Sequence, residues 1–216
     1  MKKILYILLI TIVFTACNDD EFGVTPYFSE TDATTLTTPN PPTYTSGMAD
    51  FSNFVSVGNS LTAGYSDGAL FIDGQENSFP NILAQQFALA GGGGFSQPMM
   101  SDNLGGLLLG GQQIASNRLF LSFASGSPAP APMSGTPTTE VSNILSGSFN
   151  NMGVPGAKSF HLGASGYGNV AGVSIGLANP YYARMATSPG ATVIMDAAMQ
   201  DPSFFSLWIG NNDILS

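Results

Sequence analysis

The chain has 216 residues, of which 9% are charged, and its 14 acidic and 5 basic residues give a formal net charge of −9. Nucleic-acid binding needs a patch of basic side chains, so this composition excludes a nucleic-acid partner. A single cysteine excludes a disulfide within the chain.

The first 16 residues are predicted to be a signal peptide. Lys2 and Lys3 precede an apolar run from Ile4 to Phe14, which is shorter than a typical membrane span. Small residues then lead into Cys17, and the segment resembles a bacterial lipoprotein signal, in which this cysteine becomes the lipidated first residue. An ordinary signal peptide with an incidental cysteine is the alternative. Both interpretations place the domain outside the cytoplasm.

Residues 17–49 are predicted to hold the lipidated cysteine and a disordered tether, because Thr and Pro dominate and little apolar periodicity is present. The acidic tract Asn18 to Glu21 resembles the signal that sends some bacterial lipoproteins to the outer face of the outer membrane. A plain polar spacer is the alternative. We expect a lipid-anchored protein of the outer membrane, with exposure at the cell surface under the first interpretation. Without the leader, three basic residues remain against 14 acidic ones.

An apolar run from Phe54 ends at Gly58 and places Ser60 on the turn that follows. The run predicts a buried strand, and the glycine allows a sharp turn out of it. A hydroxyl on such a turn lies at the carboxyl edge of a parallel sheet, where open α/β folds bind ligands. The alternative is that Ser60 caps a short helix.

Residues 65–77 are predicted to be a loop, and its acidic side chains are more typical of a solvated face than of a cation site. We therefore expect no metal and no cofactor. A helix should follow, with Ser78 as its cap and Pro80 in its first turn, and it should stop at the glycines 91–94. The predicted buried face of this helix consists of Leu83, Phe87 and Ala90.

Residues 95–141 are predicted to be a long insertion, because glycine pairs and a proline-rich arm interrupt the α/β rhythm. Long insertions in such a fold lie over the ligand crevice. The apolar residues of the insertion then form either an acyl-binding wall or lid, or ordinary packing. They are Met99, Met100, Leu107 to Leu109 and Phe120.

Two later segments carry further motifs. The segment Asn151 to Ala157 has two glycines around a proline, and the apolar segment Phe204 to Ile209 ends in Gly210 and amides. Trp208 within this second strand is predicted to be core. A phosphate-binding loop at 153–159 is rejected, because alanine separates the glycine from the lysine, and we therefore expect no nucleotide. A helix is predicted over 191–200.

The three segments together resemble blocks I, II and III of the SGNH (GDSL-type) serine hydrolases. The resemblance implies an α/β fold, a three-layer flavodoxin-like sandwich with a central parallel sheet, of which residues 50–216 form the N-terminal part. It also implies that Ser60 is the nucleophile and that Gly156 and Asn212 form the oxyanion hole.

The chain departs from the family pattern in two ways. Asn59 stands where the family has aspartate, and the family's Asp-x-x-His is expected beyond Ser216. The only histidine, His161, follows block II and is not expected to be the base. We therefore expect residues 18–216 to be inactive alone.

The predicted function is that of a serine esterase or lipase of the cell envelope, which cleaves an acyl lipid or acylated glycan through an acyl-Ser60 intermediate. The alternative is a non-catalytic envelope lipoprotein that uses the same scaffold to bind glycan or lipid. A purely structural protein would require the three motifs to be coincidental.

Overall fold

The computed structural model describes residues 43–215; the predicted signal peptide, Cys17 and most of the predicted tether lie outside them. Strand β1, Phe54–Gly58, is the centre of a three-stranded parallel sheet, with one strand paired on each side. Strand β7 is Asn151–Gly153 and strand β8 is Phe204–Trp208. All five residues of β1 are buried, as the apolar run predicts. The protein is thus a mixed α/β protein with a small parallel sheet.

The helices of the described residues are short. They are α1 (Ser60–Ala63), α2 (Ile72–Glu76), α3 (Phe79–Leu89), α4 (Val170–Val173), α5 (Pro180–Ala183), α6 (Val193–Ala198) and α7 (Asn211–Leu215), with a 3₁₀ helix at Ser159–Gly163. Two predictions need correction here. The segment 65–77 is not wholly a loop, because it contains α2, and the helix predicted over 191–200 is confined to α6.

At β1, other parts of the domain pack against both faces of the parallel sheet. On one face, Val55 and Val57 belong to a buried cluster with residues of β7, α5 and α6. On the other face, the ring of Phe54 packs edge-on against Phe87 of α3, with ring centroids 5.1 Å apart. Burial of such side chains is the main stabilising contribution to a small domain, so the strand that precedes Ser60 is held on both sides.

Helix α3 begins where the sequence predicts, but its contacts differ. The hydroxyl of Ser78 does not cap the helix; it donates to Oε1 of Gln97 at 3.0 Å. The fully buried positions of α3 are Pro80 and Ala84, whereas the three residues of the predicted apolar face are only half-buried. The predicted face is therefore only partly the face that the helix buries.

The segment 95–141 forms two small sheets. Strands β2 (Leu107–Leu109), β3 (Gln112–Ala115) and β6 (Thr139–Glu140) make a mixed sheet, and β4 (Leu119–Ser122) pairs antiparallel with β5 (Ala129–Pro132). Met100 and Leu107 are buried in a second core cluster with Ala63 and Ala183. Ordinary packing therefore accounts for Met100 and Leu107, whereas Phe120 is exposed.

The prediction that Trp208 belongs to the core is wrong, because 49% of the residue is exposed. The reason is topological: β8 pairs only with β1 within the described part of the chain, so it forms an edge of the sheet. The indole ring lies against Phe79 of α3, with ring centroids 5.4 Å apart.

Candidate functional site

The three segments singled out in the sequence meet at one edge of the parallel sheet. The carboxyl ends of β7, β1 and β8 point the same way, and the chain leaves each strand at that edge. Two backbone hydrogen bonds join the exits: Asn59 N–H donates to Trp208 O at 3.2 Å, and Val154 N–H donates to Gly58 O at 2.9 Å.

Gly58 is required for packing rather than for the turn predicted from the sequence. Its φ is not positive, but a Cβ at this position would collide with the Thr62 side chain and with the Trp208 carbonyl oxygen. The glycine thus allows α1 to fold back closely over the ends of β1 and β8. This close approach holds Ser60 at the sheet edge.

Ser60 is the first residue of α1 and is half-buried. It does not cap the helix, which was the alternative role for this serine, because the cap is Asn59, whose Oδ1 accepts from Leu61 N–H at 3.2 Å. Within residues 43–215 the Ser60 hydroxyl has no hydrogen-bond partner. Its oxygen is therefore available for other chemistry.

Asn59 is 1% exposed, and both ends of its amide are used. Besides capping α1, it donates through Nδ2 to Asn211 Oδ1 at 3.2 Å. A neutral amide can accept and donate at once, so this side chain joins the Ser60 turn to the segment after β8.

Gly156 lies in the loop after β7 with φ of +82°, a conformation that side-chain-bearing residues rarely adopt. A Cβ here would project into open space, with only Asn179 Nδ2 within 4.0 Å. Among the residues that the structure describes, no acceptor faces the Gly156 N–H. The loop therefore presents a backbone donor to the space beside it.

Asn212 and Asp213 attach α7 to the loop of Gly156. Asn212 donates through Nδ2 to Ala157 O at 2.9 Å. The Asp213 carboxylate accepts from Ser159 N–H at 2.9 Å and from the Ser159 hydroxyl at 2.6 Å. These bonds lower the pKa of Asp213, the Ser159 hydroxyl having the largest effect.

His161 lies near this site but is not arranged as a general base. Its Nδ1 accepts the Lys158 N–H at 3.0 Å, so the proton of the neutral ring is on Nε2. A triad histidine needs the opposite arrangement, with Nδ1–H donating to a carboxylate. Burial, and then the Lys158 charge, lower the pKa of His161. The imidazole stacks on the Tyr167 ring, with centroids 4.5 Å apart and 11° between planes.

A pocket of about 420 Å³ lies beside His161. It is lined by His161, Ala164, Ser165, Tyr167, Gly176, Leu177, Ala178, Asn179 and Pro180. Asn179 holds one wall of the pocket in place. Its side chain donates to Pro155 O at 2.8 Å and accepts from two N–H groups of α5.

Sequence reasoning missed Tyr167 and Asn179. The Asn179-Pro180 dipeptide is a helix-start signal and indicates the cap, but the contact with Pro155 is set by tertiary structure. The described residues contain no group of three metal-ligating side chains, and no helix within 43–215 is long and apolar enough to span a bilayer.

Comparison with known proteins assigns the N-terminus. A family model for the prokaryotic membrane lipoprotein lipid attachment site matches residues 1–18. No curated protein and no solved structure matches the chain. The fold and the attachment site together define a lipid-anchored mixed α/β protein.

This match confirms the prediction of a bacterial lipoprotein with a signal peptide, and the protein is a membrane-anchored lipoprotein of the cell envelope. Cys17 lies within the matched residues, and its role as the lipidated residue stays a prediction because the match covers a segment rather than one atom.

Proposed function

We propose that this lipoprotein is a serine esterase or lipase-like hydrolase with the flavodoxin-like SGNH fold, which cleaves carboxylic esters through an acyl-Ser60 intermediate. The observation that supports it is the convergence of Ser60, the Gly156 loop and Asn212 at one edge of the parallel sheet. The parallel order β7-β1-β8 is compatible with such a sandwich.

In the proposed first step, the Ser60 hydroxyl attacks the ester carbonyl while a base takes its proton. The oxyanion is bound by the N–H groups of Ser60 and Gly156 and by the amide of Asn212, whose Nδ2 also donates to Ala157 O. Each such donor contributes about 10²–10³ in rate. The leaving alcohol is protonated, and water then releases the acid from Ser60. The base is the Asp-x-x-His expected beyond Ser216, since His161 is differently arranged.

The test compares residues 18–216 with a chain that also carries an Asp-x-x-His segment after residue 216, in hydrolysis of a short-chain p-nitrophenyl ester. We expect no activity from the shorter chain and activity from one that contains Asp-x-x-His. Ser60→Ala should abolish that activity, whereas Ser66→Ala, at an exposed loop serine, should retain it. Activity that survives Ser60→Ala would refute the proposal.

The second candidate function is binding of a glycan without catalysis. The pocket beside His161 supports it, because no charged side chain lines the pocket and His161 and Tyr167 offer aromatic and hydrogen-bonding surface. A glycan array distinguishes the two functions. A binding module would retain its ligand in Ser60→Ala and lose it in His161→Ala, with no ester turnover in either.

The proposed location is the outer face of the outer membrane, and the acidic tract after Cys17 supports it. Replacing Asp19, Asp20 and Glu21 with alanine should prevent exposure at the cell surface. A protease added to intact cells should then no longer cleave the protein. Unchanged cleavage would identify the tract as a plain spacer.

A further inference from the structure

The hairpin of β4 and β5, residues 119–132, exposes an unusual amount of apolar surface. Phe123 is 66% exposed and Leu121 is 61% exposed, and Leu119 and Phe120 are also exposed. None of its 14 residues is charged, although the chain as a whole is strongly acidic. Contiguous apolar surface of this kind marks an interaction site.

Within residues 43–215, the backbone hydrogen bonds from the hairpin to the rest of the domain lie at its base. Leu119 N–H donates to Asp67 O at 2.7 Å, and Arg118 N–H, just before the hairpin, donates to Leu104 O at 2.7 Å. The Arg118 guanidinium lies over the Phe71 ring, 4.8 Å from its centroid, and 3.9 Å from the Asp67 carboxylate. All the charge is therefore at the base, and the uncharged ribbon extends from it.

The residues on both faces of β4 are open to solvent. Phe120 and Leu121 point to opposite faces of the strand, and both are exposed. A two-stranded ribbon alone is only marginally stable in water, so a surface that covers these side chains would stabilise it.

The prolines of β5 oppose pairing with another strand. Pro130 pairs with Leu121 and Pro132 with Leu119, so both prolines occupy positions of the same parity. Proline is tolerated in a strand where its missing N–H would face outward. The outer edge of β5 therefore lacks two donors. This loss disfavours a protein strand there and reduces the number of unsatisfied groups that would enter lipid.

The partner that fits is a neutral lipid surface. Acidic proteins gain nothing electrostatically from anionic lipid, and the ribbon has no charge with which to select a charged protein. A membrane is also within reach. The 25 residues between Cys17 and Thr43 span at most about 90 Å, and residues 1–18 carry the lipid attachment site.

We propose that residues 119–132 form a lipid-docking arm that inserts Leu121 and Phe123 into the interface of a zwitterionic bilayer. The arm acts in addition to the N-terminal lipid, as a second apolar contact with the membrane. The proposal does not depend on the chemistry of Ser60.

The test places a tryptophan in the arm of the full lipidated protein. In a Trp208→Phe background, Phe123→Trp is compared with Phe160→Trp, whose native side chain is equally exposed at 64% but lies in the 3₁₀ helix. The protein is reconstituted in phosphatidylcholine vesicles with brominated acyl chains. We expect at least a twofold quenching and a blue shift for the tryptophan at 123, and neither at 160.

Adding Leu121→Asp to Phe123→Trp should abolish quenching without changing the thermal midpoint, because residue 121 is exposed. Absent quenching at 123, or equal quenching at 123 and 160, would overturn the proposal. A blue shift at 123 without vesicles that grows with protein concentration would also overturn it, by showing a second copy as the partner.

Discussion

The side chains of Asn59 and Asn211, which are 152 residues apart in sequence, share a hydrogen bond of 3.2 Å. The bond connects the turn that carries Ser60 to the first residue of the helix that carries Asn212. Since Asn59 also caps α1, one buried amide sets the relative position of two proposed functional groups.

Asn59→Asp should lower the free energy of unfolding by less than about 1 kcal/mol. The carboxylate keeps the cap on Leu61 N–H, and the Asn211 amide can rotate to donate to it. Asn59→Leu removes both contacts at a buried position and should cost about 1–3 kcal/mol. Urea unfolding of the two variants measures the difference. Equal losses would show that the amide contacts do not stabilise this turn.

Gly153→Ala should destabilise the protein far more than Gly156→Ala. A Cβ at 153 would collide with the backbone of Ala63, so α1 would have to move, at a cost of about 3 kcal/mol or more. A Cβ at 156 meets open space, and its cost is the strain of a positive φ, about 1–2 kcal/mol.

The measurement is the urea midpoint of each glycine variant. The midpoints are compared where the free energy of unfolding falls with urea concentration at the same slope in both variants. Gly47→Ala is a control for strain without packing, because that glycine also has a positive φ and open space. A smaller loss at 153 than at 156 would contradict the close contact of β7 with α1.

Much of the sheet could be predicted from local sequence. The apolar runs that end in glycine at Gly58 and Gly210 correspond to β1 and β8. A buried parallel strand reads as a continuous apolar run, which explains β1, whereas no residue of β8 is buried. The exposure of Trp208 could not be predicted. Edge position depends on which strands pair, and no pattern within β8 encodes it.

Helix α2 was missed because Gly74 lowers local helix propensity. The glycine is needed for packing, since a Cβ would lie 2.6 Å from Gly64 O. The next residue, Gln75, is held by long-range bonds to Pro98 O at 3.0 Å and from Met100 N–H at 2.7 Å. Tertiary contacts thus override propensity here.

The candidate site was only partly predictable for the same reason. The motifs single out Ser60, Gly156 and Asn212, but the contact of Asn59 with Asn211 and that of Asn179 with Pro155 join residues far apart in sequence. Residue type alone does not encode such pairs.

Asp213→Asn should flatten the pH dependence of stability in the acid range. The pKa of the Asp213 carboxyl lies below its usual value of 3.8, chiefly because the Ser159 hydroxyl donates to it. Its stabilising contribution is therefore present above about pH 4 and is lost as pH falls through the folded-state pKa. The asparagine variant should have a lower thermal midpoint at pH 6 and a shallower decline towards pH 3.

Glu76→Gln is the matched control for the aspartate variant, because Glu76 is exposed and its carboxylate makes no hydrogen bond within residues 43–215. Its midpoint should follow that of the unaltered protein. If Asp213→Asn also follows it at every pH, the bond to Ser159 makes no contribution in solution.

Glu140→Gln should loosen the turn between β2 and β3. The Glu140 carboxylate accepts from Gly111 N–H at 2.9 Å, from Gly110 N–H at 3.1 Å and from the Ser142 hydroxyl at 2.8 Å. The Gly111 bond is the main cause that lowers the pKa of Glu140 to about 2. A glutamine has only one accepting oxygen, so one glycine N–H loses its acceptor.

Amide hydrogen exchange at Gly110 and Gly111 is the measurement, and we expect it to rise about threefold to tenfold in Glu140→Gln. Ser142→Ala removes a donor without touching either glycine and should leave both rates near those of the unaltered protein. In the unaltered protein the protection is present above the usual carboxyl pKa of 4.5 and is lost as pH falls through about 2. Unchanged exchange in Glu140→Gln would mean that the strand pairing of β2 and β3, rather than this carboxylate, closes the turn.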